Sequence, residues 1–160
     1  MMCRSEGKAD LLAAVTPILD HLAGQQTPPT AAELGRAFPL DSELLKSIRQ
    51  KLLDGIEAGW LTPREAGGVR FGRVAKSTEA SRGFTIDAVD MNGPGPGHTH
   101  PEGEVDLCFA LTDGARFDGS PEGWVVYGPG SWHVPTVSQG RMVILYFLPN
   151  GAIRFEQRPA

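Results

Sequence analysis

The segment Gly97-His98-Thr99-His100-Pro101-Glu102-Gly103-Glu104 sets the reading of the whole chain. It contains H-x-H-x-x-x-E. Residues two apart on an extended chain project to the same side, so His98 and His100 can converge on one point. Glu104 opens the next apolar run and can reach that point from the side. A second turn, Pro129-Gly130-Ser131-Trp132-His133, delivers a third imidazole. If the two strand pairs face each other, His133 completes a four-donor set with His98, His100 and Glu104. Three imidazoles and one carboxylate suit a divalent first-row metal: Fe(II), Mn, Co, Ni or Zn. A six-coordinate ion there would keep two positions for water or substrate. A single histidine beside a turn is ordinarily solvated, and a lone H-x-H carries little weight. The carboxylate four residues on and the distant P-G-x-x-H are what lift this set above coincidence.

Around this segment the pattern has period two and short runs. Val69 to Ala75, Thr85 to Met91, Glu104 to Leu111, Trp124 to Tyr127 and Met142 to Leu148 read as strands. They are separated by Asn92 to Gly97, Asp113-Gly114, Asp118-Gly119, Gly128-Pro129-Gly130 and Pro149-Asn150-Gly151, all with turn chemistry. Many short strands between Gly/Pro turns argue for a sandwich or barrel. The first sixty residues differ. Asp10 to Leu22 places Leu11, Leu12, Val15, Ile18, Leu19 and Leu22 at helical spacing, with Pro17 expected to kink or divide the helix. Gly24 to Pro29 reads as a loop. Thr30-Ala31-Ala32-Glu33 fits a capping box for a short helix ending near Ala37. Asp41 or Ser42 can cap a third helix, Glu43 to Ala58, with the stripe Leu44, Ile48, Leu52 and Ile56 and an end weakened by Gly55 and Gly59. The expected division is a helical extension over residues 1–62 and a barrel over 63–160.

Composition narrows the function classes. The chain has 160 residues, enough to bury a core without disulfides. With 15 Lys and Arg against 19 Asp and Glu, net charge is -4, so broad binding to nucleic acid or anionic membrane is not expected. Helical acids Asp10, Asp20, Glu33, Asp41, Glu43, Asp54 and Glu57 intersperse with Lys8, Arg36, Lys46, Arg49 and Lys51, which leaves no basic face. No apolar run approaches a membrane span, and the N-terminus lacks a signal-peptide core. Two cysteines, Cys3 and Cys108, exclude a disulfide scaffold and favour a reduced, cytoplasmic setting.

The two histidine segments resemble the two cupin motifs, G-x5-H-x-H-x3,4-E-x6-G and G-x5-P-x-G-x2-H-x3-N. His98, His100, Glu104 and His133 fall on the four ligand positions. Gly123 and Pro129 keep the G-x5-P spacing, and Gly130 keeps G-x2-H. Gly93 is one residue too close to His98, Gly114 is late, Pro129 abuts Gly130, and Val137 stands where Asn would be. These departures bear on turn shape more than on the ligand set. The resemblance implies a mainly β fold: a cupin-type (double-stranded β-helix, jelly-roll) barrel preceded by an α-helical N-terminal extension. The stretches EVDLCFAL, GWVVYGPGSWHVPTV and GRMVILYFLPNGAI are further similar to the small cupin family of 4-hydroxylaminobenzoate lyases. That resemblance implies conversion of 4-hydroxylaminobenzoate to 3,4-dihydroxybenzoate and ammonia in nitroaromatic degradation. It also implies a divalent metal, with Fe(II) the first choice, a small aromatic acid as substrate and, by analogy with other cupin barrels, a homodimer. The enzymatic alternative is a non-haem iron dioxygenase, and the non-enzymatic one a small-molecule-binding cupin.

If Glu104 points into the barrel, Asp106 and Cys108 do too, while Val105, Leu107 and Phe109 face another layer. Asp106 is then a candidate general acid/base beside Glu104, or a partner that orients His98 or His100. Cys108 reads as a small buried hydrophobe. Trp124, Tyr127, Trp132 and Tyr146 can wall a planar substrate, although any one of them alone reads more readily as a core or interface residue. A benzoate needs a cationic partner, and Arg70, Arg73, Arg82, Arg116 and Arg141 are on or near the barrel. Tyr127, Trp132, Tyr146 and Arg116 are the substrate-binding candidates. His21 reads as a helix-surface histidine and Cys3 as a terminal residue without a role.

Overall fold

The computed structural model describes residues 3–25 and 28–159. The expected loop Gly24 to Pro29 therefore lies partly outside the described residues. Three helices come first: α1 (Arg4–Ala23), α2 (Ala31–Ala37) and α3 (Glu43–Ala58). Strands follow: β1 (Arg64–Ala66), β2 (Val69–Ala75), β3 (Phe84–Met91), β4 (His98–His100), β5 (Glu104–Ala110), β6 (Arg116–Phe117), β7 (Gly123–Tyr127), β8 (Ser131–His133), β9 (Val137–Ser138), β10 (Met142–Pro149) and β11 (Arg154–Phe155). A six-stranded sheet in the order β1-β2-β3-β10-β5-β7 faces a three-stranded sheet, β11-β4-β8, with a β6-β9 pair beside them. Every pairing is antiparallel. The fold is mainly β, the cupin-type barrel with helices ahead of it that the motifs led us to expect.

The large sheet is covered on both faces, which explains why β5 and β10 read as unbroken apolar runs. Val105, Leu107, Phe109, Val143, Leu145 and Phe147 face the helices and share one core with Leu11, Val15, Ile18, Leu19, Leu45, Ile48 and Leu52. The alternate residues Cys108, Met142, Ile144 and Tyr146 face the barrel interior with Val89, Met91 and Phe117. Period-two alternation thus separates a structural face from a functional one.

The helices differ in detail from the sequence expectation. α1 runs unbroken through Pro17, whose ring lies on the exposed side while Leu11, Val15, Ile18, Leu19 and Leu22 bury the opposite one. The missing amide forfeits one hydrogen bond, and the buried stripe holds the helix across it. Leu12 is only partly buried. Cys3 is the N-cap of α1, with its amide bonded to the Glu6 carboxylate. Thr30 caps α2 through the Glu33 amide at 3.1 Å, and Ser42 rather than Asp41 caps α3 through the Leu45 amide at 3.3 Å. The buried stripe of α3 is Leu45, Ile48, Leu52 and Gly55, with Leu44 and Ile56 at its margins. Gly55 is no weak point. A methyl group there would lie 2.9 Å from the Trp60 ring, and one on Gly7 of α1 would lie 2.4 Å from it. The two glycines let the indole wedge between α1 and α3.

Candidate metal centre

The ligand set is assembled by strand register. His98 and His100 share one face of β4. The β4–β8 ladder sets His98 opposite His133 and His100 opposite Ser131. A tight turn then carries the chain to the large sheet, where Glu104 opens β5. Gly103 makes that turn with a φ of 91°, a conformation that side chains disfavour. One donor atom from each of His98, His100, Glu104 and His133 lies within 4.8 Å of the others. His98, His100 and Glu104 are buried and His133 is nearly so.

The outer nitrogens of the three rings are occupied. His98 Nδ1 lies 3.0 Å from the Pro96 carbonyl, and His133 Nδ1 lies 2.7 Å from Asp118 Oδ2. Both partners can only accept, so each Nδ1 carries the proton. His100 Nδ1 lies 3.0 Å from Ser131 Oγ, whose own hydrogen goes to the Gly128 carbonyl at 2.7 Å. That leaves a serine lone pair for the third Nδ1–H. All three Nε2 lone pairs therefore point inward. His98 Nε2 and His133 Nε2 stand 3.2 Å apart, and His100 Nε2 is 3.2 Å from Glu104 Oε2. Buried lone pairs and a carboxylate gathered this way repel one another unless a cation lies among them. His100 Nε2 and both Glu104 oxygens are buried without a hydrogen-bond partner. The residues fit a divalent metal.

The surrounding charges follow from burial. Asp106, two residues beyond Glu104 on the same face, is fully buried with both oxygens unpartnered. Burial and the adjacent Glu104 charge push its carboxyl well above the ordinary value. Burial also acts upward on Glu104; without a cation, only a second proton on the His100 and His98 rings gives it donors, and these draw its carboxyl below the ordinary value. Burial raises the Cys108 thiol too, as expected of an inert filler. Burial acts upward on half-buried Asp118, but hydrogen bonds from His133, Tyr127 and the Thr136 amide win and hold it below its usual value. In the sequence Asp118 reads only as a turn residue, and Pro96 and Ser131 carry no signal of contact with a histidine ring. A carboxylate in a D-G turn gives no sequence signal that it supports a ligand from 15 residues away.

The other sequence candidates separate cleanly. The Tyr127 ring lies 4.1 Å from that of His133 and 5.5 Å from that of His100. Tyr146 is buried in the barrel interior with its hydroxyl toward Met91 Sδ. Trp132 alternates away from the centre, packs on Gly97 and bonds the Glu156 carbonyl at 3.0 Å. Trp124 belongs to the helix-facing core, bonded to the Phe38 carbonyl. Arg116 is spent on the Gly119 carbonyl of its own hairpin. Arg82 pairs with Asp20, and Arg141 with Asp90. A cavity of about 830 Å³ reaches the centre at His98, with Phe71, Val89, Met91 and Tyr146 on its walls and Arg73 alone of the five barrel arginines.

Comparison with known proteins identifies the family. The family model described as PnbB, 4-hydroxylaminobenzoate lyase, matches residues 13–155. A 4-hydroxylaminobenzoate lyase of Nocardioides sp. (strain LMS-CY) is 32% identical over 94% of this chain and 95% of its own. One of Pseudomonas putida is 30% identical over 77% of this chain and 80% of its own. Among solved structures, a DMSP lyase of Ruegeria pomeroyi DSS-3 is 17% identical, with a TM-score of 0.42 over 96% of this chain and 93% of that one. The family-model match over residues 13–155 and the 32% identity along nearly the whole length mean that this chain belongs to the 4-hydroxylaminobenzoate lyase family.

Proposed function

We propose that the protein converts 4-hydroxylaminobenzoate and one water to 3,4-dihydroxybenzoate and ammonia. The single observation that carries this reading is the buried, complete His98–His100–Glu104–His133 set in a chain of this family. The reaction is balanced without an external oxidant: the N–O bond breaks, nitrogen is reduced, and the ring is oxidised by two electrons. The four residues hold the metal, with Fe(II) our first assignment and Mn, Co, Ni and Zn compatible with the same donors. The bound metal supplies Lewis acidity at the N–OH oxygen.

The chain's own groups do the remainder. Asp106 is buried on the same interior face as Glu104 and beside it. It gives a proton to the departing hydroxyl and takes one from the water that adds to the ring. A second water hydrolyses the resulting imine and frees ammonia. Tyr127 and Tyr146 flank the ring, and the apolar interior excludes bulk water. Residues 1–62 and 63–160 work as one unit, because the helices bury the outer face of the sheet that carries Glu104 and Asp106. Free Cys3 and Cys108 support a cytoplasmic setting in nitroaromatic catabolism, and a homodimer follows by analogy with other cupin barrels.

Chelation followed by reconstitution with each metal tests the reading. Turnover of 4-hydroxylaminobenzoate should vanish with the metal and return with it. Full turnover by metal-free protein would overturn the assignment.

A further inference from the structure

The cavity that reaches His98 has an unusual charge. Five cationic side chains line it, Arg4, Lys8, Arg64, Arg73 and Lys76, against one carboxylate, Asp87. The whole chain is net negative at -4. Among the described residues only Arg73 of these five has a carboxylate within ion-pair distance. Burial and the nearby Arg4 and Arg64 charges lower the Lys8 ammonium, as cations crowded without a counter-ion do. A positive wall in an acidic protein favours an anionic occupant.

Arg73 is the one held in place. It follows Val69 and Phe71 on the interior face of β2. Its Nε donates to Asp87 Oδ1 at 2.8 Å, which fixes one edge of the guanidinium and leaves the Nη1 edge free. The ladder then runs Arg73 to Asp87, Asp87 to Tyr146 and Tyr146 to Asp106. Arg73 thus stands in the same interior row as the acid beside the metal centre. Three strand spacings separate them, roughly 14 Å between backbones at about 4.8 Å each. A guanidinium on the cavity wall and a rigid para-substituted ring are together long enough to span that gap end to end.

We propose that Arg73, braced by Asp87 on the basic cavity wall, binds the substrate carboxylate and makes the enzyme selective for anionic aromatic hydroxylamines. This rests on the lyase reading above, which supplies the carboxylate. Arg73 is a binding residue, remote from the N–O bond, so its loss acts on affinity rather than on the chemical step.

The test has two arms on the metal-loaded protein. In the first, Arg73→Met should raise KM for 4-hydroxylaminobenzoate about 10- to 100-fold with kcat within about threefold, the loss expected when a charged hydrogen-bond partner is removed. Arg73→Lys, which keeps charge but loses the fork, should fall between. Arg70→Met, on the opposite face of the same strand, should behave as wild type. Phenylhydroxylamine, which lacks the carboxylate, should already show the raised KM in wild type and change little in Arg73→Met. In the second arm, calorimetry should give wild type a lower Kd for 3,4-dihydroxybenzoate than for catechol, and Arg73→Met should erase the difference. Equal Kd values for the two ligands in wild type, or Arg73 variants that leave the difference intact, would overturn the proposal. Failure of turnover alone would count against the lyase reading, and the binding arm would still decide the carboxylate site.

Discussion

Asp118 accepts from the His133 ring, the Tyr127 hydroxyl and the Thr136 amide, and so orients a proposed ligand from outside the donor set. Asp118→Asn should weaken metal affinity about 10- to 100-fold, the usual cost of losing such a partner, measured by competition with a chromogenic chelator. The same residue carries a pH signature. Its folded pKa is depressed, so its stabilisation is present above its unfolded value, near 3.8, and is lost as pH falls through the folded one. The stability gap between metal-free wild type and Asp118→Asn should therefore be full at neutral pH and close as urea titrations move below pH 4. Asp106→Asn separates chemistry from metal binding. We expect kcat to fall about 10²- to 10⁴-fold with metal content unchanged, since a positioned general acid is worth that much. Undiminished turnover would remove Asp106 from the mechanism.

At the scale of elements, the legible parts were those with a period long enough to read. β2, β3, β5, β7 and β10 were found in sequence to within a residue or so, because each is at least five residues of alternating or continuous apolar pattern. Strands β6, β8, β9 and β11 have two or three residues and too little pattern to register, although β4 was recognised through its chemistry as H-x-H. The ligand set could be read because two-residue spacing maps directly to one face of a strand. Asp118 and Arg73 could not be singled out, since pairing across a ladder decides what they meet. Gly55 was misread because propensity describes an isolated helix, whereas this one makes room for Trp60. Gly7→Ala should therefore destabilise despite the better helix propensity of alanine, with a lowered Tm by circular dichroism. Ile48→Ala, at the centre of the helix–sheet core, should cost about 2–5 kcal/mol in chemical denaturation and leave metal affinity intact.

At the scale of the molecule, two cores serve two purposes. The helix-facing core backs the sheet, and the interior core surrounds the proposed ligands with apolar side chains. A cation held by His98, His100, Glu104 and His133 would neutralise the gathered Nε2 lone pairs and carboxylate, so metal loading should raise Tm in proportion to the logarithm of free metal concentration. A metal-dependent lyase of this kind needs no oxygen. It is tested most directly by anaerobic incubation of the metal-loaded protein with 4-hydroxylaminobenzoate, with both products quantified. Equimolar 3,4-dihydroxybenzoate and ammonia, formed at the same rate with and without O2, is the expected result. No product without O2, or product formation coupled to oxygen consumption, would contradict it and leave a cupin dioxygenase in its place.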